Sequence, residues 1–289
     1  MNWKMTDWFQ TPHIPLSDRR LSEVKHTETE IPLKYFNTLG DWEEYCRHIR
    51  KQMMFSIGLL PDIERGPLNE KVFDVLDFGE FKVAKVIFES MPGFYVTGNL
   101  YLPQNASPSH PVPMVLNPHG HWDGAKLELS EITRIPVRCA NFALRGMAAF
   151  VFDMVGYGDN RQIGHLDYCG YEKELWNENI LGIQVYNCIR ALDFVETLPE
   201  IDRLRIGSTG ASGGGTQTFW LAALDDRVKV TMPVNMVSTL FQGGCACEAA
   251  PNLHLTVSNI EIAALTAPRP MKLAGSTGDW TQDLSLIHI

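Results

Sequence analysis

A chain of 289 residues that is 45% hydrophobic and 20% charged has enough apolar content to bury one large core, which argues against disorder, a coiled coil or a collagen-like rod. Its 34 acidic residues outweigh 25 basic ones, for a formal net charge of -9. Without a basic run to track phosphates, the balance opposes nucleic acid as a partner and favours a neutral or mildly polar small molecule.

In chain order, the first residues, MNWKMTDWFQTPHIPLSDRR, contain no apolar stretch as long as a signal peptide or membrane span. No membrane partner is therefore expected, and a cytoplasmic place is expected for the chain as written. From Asp41 to Leu60, Trp42, Tyr45, Ile49, Met53 and Ile57 recur at helical spacing and predict an amphipathic helix packed on the main body. Lys82–Glu89 and Phe94–Leu102 read as strands, and Met91-Pro92-Gly93 between them predicts a hairpin. Short apolar runs follow at Pro113–Leu116, Ala148–Phe152, Leu204–Ser208, Val228–Val234 and Met271–Ala274, separated by helical stretches, of which Asn179–Leu198 is the longest. Strands alternating with helices define an α/β class with a mostly parallel sheet covered on both faces, led by the antiparallel hairpin. The expected division is a helical extension over 1–80, the α/β domain over 81–283, and an unrelated tail over 284–289.

The strongest chemical signal is Gly210-Ala-Ser-Gly-Gly214, a GxSxG set between the strand-like Leu204–Thr209 and a helix-compatible Thr216–Leu224. A tight strand-to-helix turn of this kind strains the serine backbone and pushes Ser212 out at the carboxyl end of a sheet, next to a helix N-terminus. A rival reading as the glycine loop of a short-chain dehydrogenase lacks the GxGxxG spacing, and the last tyrosine, Tyr186, lies upstream of the loop.

Asn117-Pro-His-Gly-His-Trp122 follows the run ending at Leu116, where this fold supplies an oxyanion donor. The expected donors are the amides of Gly213 and His121, with Gly120 as second choice, and Trp122 is expected at the substrate. His119, His121 and Asp123 form part of an HxHxDH metal motif whose last histidine is replaced by Gly124. In Asp153-Met-Val-Gly-Tyr-Gly-Asp159, Asp153 and Tyr157 are candidates to shape the pocket; a turn whose Asp caps the next helix accounts for the pattern equally well. The acid of a catalytic triad is expected after a late strand, at Asp279, with Glu248 as runner-up.

Six cysteines, Cys46, Cys139, Cys169, Cys188, Cys245 and Cys247, define no disulfide framework and read as buried thiols. Cys245 and Cys247 are too close for the CxxC spacing of a zinc or redox site and are left out of the expected chemistry. No metal and no organic cofactor is expected.

From about Trp42 to Thr281 the sequence resembles the bacterial acetyl xylan esterase-like proteins of the α/β-hydrolase superfamily, relatives of dienelactone hydrolase and prolyl-oligopeptidase-type domains. The resemblance rests on Gly98-Asn-Leu-Tyr-Leu-Pro103, Asn117-Pro-His-Gly-His121, Asp153–Asp159, Arg190-Ala-Leu-Asp193, Arg205–Gln217, Gly244-Cys-Ala-Cys-Glu248 and Ala267-Pro-Arg-Pro270. It implies ester hydrolysis of acetylated plant polysaccharides or their fragments, with Ser212 as nucleophile and Asp279 as acid. Relatives are often exported. The family's C-terminal histidine matches no residue here: only His288 follows Asp279, one residue from the end, so the expected chain is a truncated frame of an active parent. A non-catalytic carbohydrate-binding or interaction protein on the same scaffold, and a prolyl-oligopeptidase-like peptidase, are the alternatives.

Overall fold

The computed structural model describes residues 29–275, apart from 62, 169, 241 and 242. Helix α1 (Leu39–Ser56) opens on Thr38, whose hydroxyl accepts from Asp41 N at 3.1 Å. An N-cap of this kind satisfies one of the orphan amides of the first turn. The helix ends four residues earlier than its periodicity predicts, because Gly58 takes a left-handed φ of 72° at a place where a Cβ would lie 2.3 Å from Asn177 O. Ile49 and Met53 face inward, and Arg50 donates to the carbonyls of Ala223 and Leu265 at 2.8 Å each, fastening α1 to the main body.

Strands β1 (Lys71–Asp77), β2 (Phe81–Met91), β3 (Phe94–Pro103), β4 (Val112–Leu116), β5 (Ala148–Phe152), β6 (Ile201–Ala211) and β7 (Val228–Val234) form one sheet in the order β1-β2-β3-β5-β4-β6-β7. The block β5-β4-β6-β7 is parallel, while β1, β2 and β3 pair antiparallel at its side. The hairpin register sets Ala84 opposite Leu100 and Phe88 opposite Val96, which keeps Ala84, Val86 and Phe88 on the buried face. Strand β1 lies within the stretch expected to be a helical extension. It is exposed along its whole length and is held by its ladder to β2, so its residues carry no burial pattern to read. The late run Met271–Ala274 contributes two parallel bridges, Thr231 to Met271 and Val234 to Ala274, that continue the sheet past β7.

Both faces of the parallel block are covered, as β5 shows residue by residue. Ala149 and Val151 pack with Ile135, Cys139 and Ala143 of α2 (Ile135–Leu144), while Ala148, Phe150 and Phe152 join the larger core on the other side. There Phe194 stacks on Phe88 at 5.5 Å and meets Phe150 at 5.2 Å. Phe194 belongs to α4 (Ile180–Thr197), which follows the short α3 (Tyr171–Leu175) and is capped by Asn179 through Gly182 N at 2.9 Å. Helix α5 (Gly213–Leu224) is buried almost throughout, with Trp220 fully enclosed; α6 (Asn259–Ala264) carries a capping box between Ser258 and Glu261. The carboxyl ends of β4, β5, β6 and β7 therefore converge on one edge, where a doubly covered sheet places its ligands.

Candidate active site

At that edge β6 runs into α5 through Ser212, whose φ of 58° and ψ of -129° lie where L-residues are rarely found. The turn is locked from both sides: Ser212 N donates to Val234 O at 3.1 Å, and Gly215 N donates back to Ser212 O at 2.7 Å. The hydroxyl makes no capping bond to the helix it opens, so it is available to a ligand. The flanking glycines answer to the neighbouring loop. A Cβ on Gly210 or on Gly214 would lie 2.3 Å from Pro118 O, and one on Gly120 would lie 3.0 Å from the Ser212 Cβ and 2.7 Å from Ala211 O. The loop after β4 thus rests directly on the serine turn, and only bare α-carbons permit that approach.

The same loop is internally fastened. His119 is fully buried; its Nδ1 meets Gly120 O at 2.7 Å, and its Nε2 accepts from Met154 N at 2.9 Å. Burial pushes its pKa down to about 4, so the ring is a neutral strut between two loops. Trp122 N donates to Gly120 O at 2.9 Å, turning the chain so that His121 faces α5. A Cβ on Gly213 would meet His121 Cε1 at 3.0 Å and Glu248 Oε1 at 3.2 Å. Ser212, Gly213, Gly120, His121 and Glu248 are therefore brought together. Gly213 N–H, the first amide of α5, has no acceptor within its own helix.

Trp122 is half-buried and packs with the α2 side of the core, while the Tyr157 ring stands edge-on to His121 at 6.1 Å and to His165 at 4.9 Å. Asp153 lies fully buried, forms a short ion pair with Lys126, and accepts from Thr97 Oγ1 at 2.8 Å and from Asp159 N at 3.1 Å. This knot ties the start of its loop to β3 and to the 3-10 turn Ala125–Leu127. Asp279 and His288 fall outside the described residues.

Sequence reasoning missed His165 and set aside Cys245 and Cys247, yet all three stand beside His121. His121 Nε2 lies 3.2 Å from His165 Nε2 and 3.1 Å from Cys247 Sγ, and Cys245 Sγ lies 3.3 Å from His165 Nε2. The hydrogen bond from Cys247, with others from His121 and His165, holds the Cys245 pKa well below the ordinary thiol value against its burial; that of Cys247 is correspondingly pushed up. Glu248, almost fully buried, is raised above the ordinary carboxylate range by desolvation, and its Oε1 stands 3.5 Å from His121 Nδ1. His165 Nδ1 lies 2.7 Å from Val155 O, and Gly156, at φ 83°, leaves room for the approach, since a Cβ there would strike His165 N at 2.2 Å.

The sheet order, the covered parallel block and the strained serine between β6 and α5 define the α/β-hydrolase fold, the architecture of serine hydrolases with a nucleophile at a strand-to-helix turn. Within that class, the chain belongs to the acetyl xylan esterase (AXE1) family, whose profile matches residues 68–242, and by family it is an ester hydrolase. It is 28% identical over 247 residues to YtaP of Bacillus subtilis (strain 168), described as a hydrolase, covering 76% of this chain and 77% of that protein. Among solved structures it is similar to methylesterase BT1017, with a TM-score of 0.72, 27% identity and 85% of this chain covered. This chain spans only 54% of that protein's length. A glucuronoyl esterase from Solibacter usitatus shares the fold at a TM-score of 0.61 and 16% identity, over 87% of this chain and 82% of that one.

Proposed function

We propose that this protein is a serine esterase that removes ester substituents from carbohydrate, with acetyl groups of xylan-type polysaccharides or their fragments as substrate. The observation that supports this most is the positive-φ serine at the mouth of α5, backed by Gly120 of the oxyanion loop against its Cβ. A strained residue is maintained where the strain is used.

In this reading Ser212 Oγ attacks the ester carbonyl, and the N–H groups of Gly213 and His121, with Gly120 as the alternative donor, receive the developing oxyanion. The alcohol leaves with a proton, and water then cleaves the acyl-serine to release the acid. Asp279 is the acid of the triad, orienting a histidine that follows it in the chain order of this fold and takes the serine proton. Glu248 is the other carboxylate at hand, but its contact with His121 commits it to holding that ring. Trp122, next to His121 in the chain, and Tyr157, edge-on to the His121 ring, are the aromatic side chains assigned to the sugar. No step calls on a metal or an organic cofactor.

The test is release of acetate from acetylated xylan, beside methyl-esterified and glucuronoyl-ester substrates, by this chain and by any longer product of its gene. Acetate release that vanishes with Ser212→Ala supports the proposal. Preferential cleavage of a methyl or glucuronoyl ester reassigns the substrate, and saccharide binding without turnover in every form favours the binding-protein alternative.

A further inference from the structure

Among the described residues, His121, His165, Cys245 and Cys247 place one ligand atom each within 4.8 Å of one another. They come from three separate loops, after β4, β5 and β7, and meet at the edge of the sheet beside the serine turn. A tetrahedral zinc ion with Zn–N near 2.0–2.1 Å and Zn–S near 2.3 Å has ligand-to-ligand edges of roughly 3.3 to 3.8 Å. Three of the separations, 3.2, 3.1 and 3.3 Å, fall within a few tenths of an ångström of that range, and all lie within 4.8 Å.

The far side of each ring supplies an independent reason. His165 Nδ1 lies 2.7 Å from Val155 O, which can only accept, so the ring proton sits on Nδ1 and Nε2 presents a lone pair to the cluster. His121 Nδ1 faces the carboxylate of Glu248 at 3.5 Å. His165 Nε2 faces His121 Nε2 at 3.2 Å and Cys245 Sγ at 3.3 Å, and His121 Nε2 faces Cys247 Sγ at 3.1 Å, so the donor atoms converge where one cation would satisfy them together. A carbonyl behind one histidine and a carboxylate behind the other is the outer-shell arrangement of metal-bound imidazoles. The softness of two thiolates with two imidazoles selects zinc over calcium or magnesium.

We propose that His121, His165, Cys245 and Cys247 bind one zinc ion in a closed, four-ligand structural site. With all four positions taken by side chains, the ion has no open position for substrate, and its effect is mechanical. It clamps the loop carrying Gly120 and His121 to the loops after β5 and β7, and so fixes the amides beside Ser212. The site stands or falls independently of which ester is cleaved.

The test is titration of the chelator-treated, reduced protein with cobalt(II) and then zinc(II) alone. One equivalent of cobalt per chain should give a tetrahedral visible spectrum with thiolate-to-cobalt charge-transfer bands, displaced by zinc. Cys245→Ser and His165→Gln should each weaken zinc binding by about 100-fold or more, and Glu248→Gln by about 10-fold. A wild-type protein that binds no cobalt, a cobalt spectrum without thiolate bands, or a Cys245–Cys247 disulfide in protein purified under reducing conditions would each overturn the proposal. The wild-type titration decides the matter even if a variant fails to fold.

Discussion

Gly210 and Pro118 are in backbone contact: a Cβ at Gly210 would lie 2.3 Å from the Pro118 carbonyl oxygen and 2.6 Å from that of Gly214. Neither atom can yield without moving the serine turn or the loop after β4. Gly210→Ala is therefore expected to cost about 2 kcal/mol or more in denaturant unfolding and to sharply reduce esterase activity. Gly66→Ala, at a position with nothing within 4 Å, is the control and should change little.

The strain at Ser212 makes a second prediction with an unusual sign. Glycine accepts a φ of 58° with a ψ of -129° where serine does not, so Ser212→Gly should stabilise the fold by about 1 kcal/mol while abolishing activity. Ser212→Ala should abolish activity without that gain, because alanine keeps the Cβ. Thermal melts of the two variants against the parent read the difference.

Lys126 and Asp153 are buried together, with side chains 8% and 0% exposed. Asp153→Asn leaves the ammonium paired only with Asp159, whose side chain is largely exposed, and should destabilise by about 3 kcal/mol. A Lys126→Met, Asp153→Leu double variant should be less destabilised than the single one. Equilibrium unfolding in urea compares them.

An acid limb is expected from the other end of the sheet. Asp225 is largely buried, which alone would raise its pKa, but hydrogen bonds and charge from Arg227 prevail and hold it below the usual carboxylate range. A depressed folded pKa means that the unfolded chain binds the proton more readily. The stabilisation is thus present above about pH 4 and fades as pH falls through the folded value. Asp225→Asn should flatten the fall in melting temperature below about pH 4.

The hairpin, α4 and the serine turn were legible because local rules and tertiary contacts agree there. Met91-Pro92-Gly93 turns the chain where β2 meets β3, Asn179 caps where the periodicity of α4 starts, and the GxSxG glycines meet a backbone that only glycine admits. Strand β1 was not legible because its stability lies in a ladder, with no buried face to impose alternation. Asp153 reads equally as a pocket residue and as a turn cap because its ion-pair partner, Lys126, is distant in sequence and lone buried lysines leave no pattern. Cys245 and Cys247 were dismissed on spacing within one motif. Their neighbours His121 and His165 come from two other loops, a set that no spacing along the chain records.

The central claim, that Ser212 is the nucleophile of an esterase, is tested most directly by mapping a fluorophosphonate adduct. The protein is labelled, digested, and the modified peptide sequenced by mass spectrometry, with Ser212→Ala alongside. The account predicts a single adduct on Ser212, lost in the variant together with hydrolysis of 4-nitrophenyl acetate. An adduct on a different residue, or hydrolysis that survives Ser212→Ala, would contradict it.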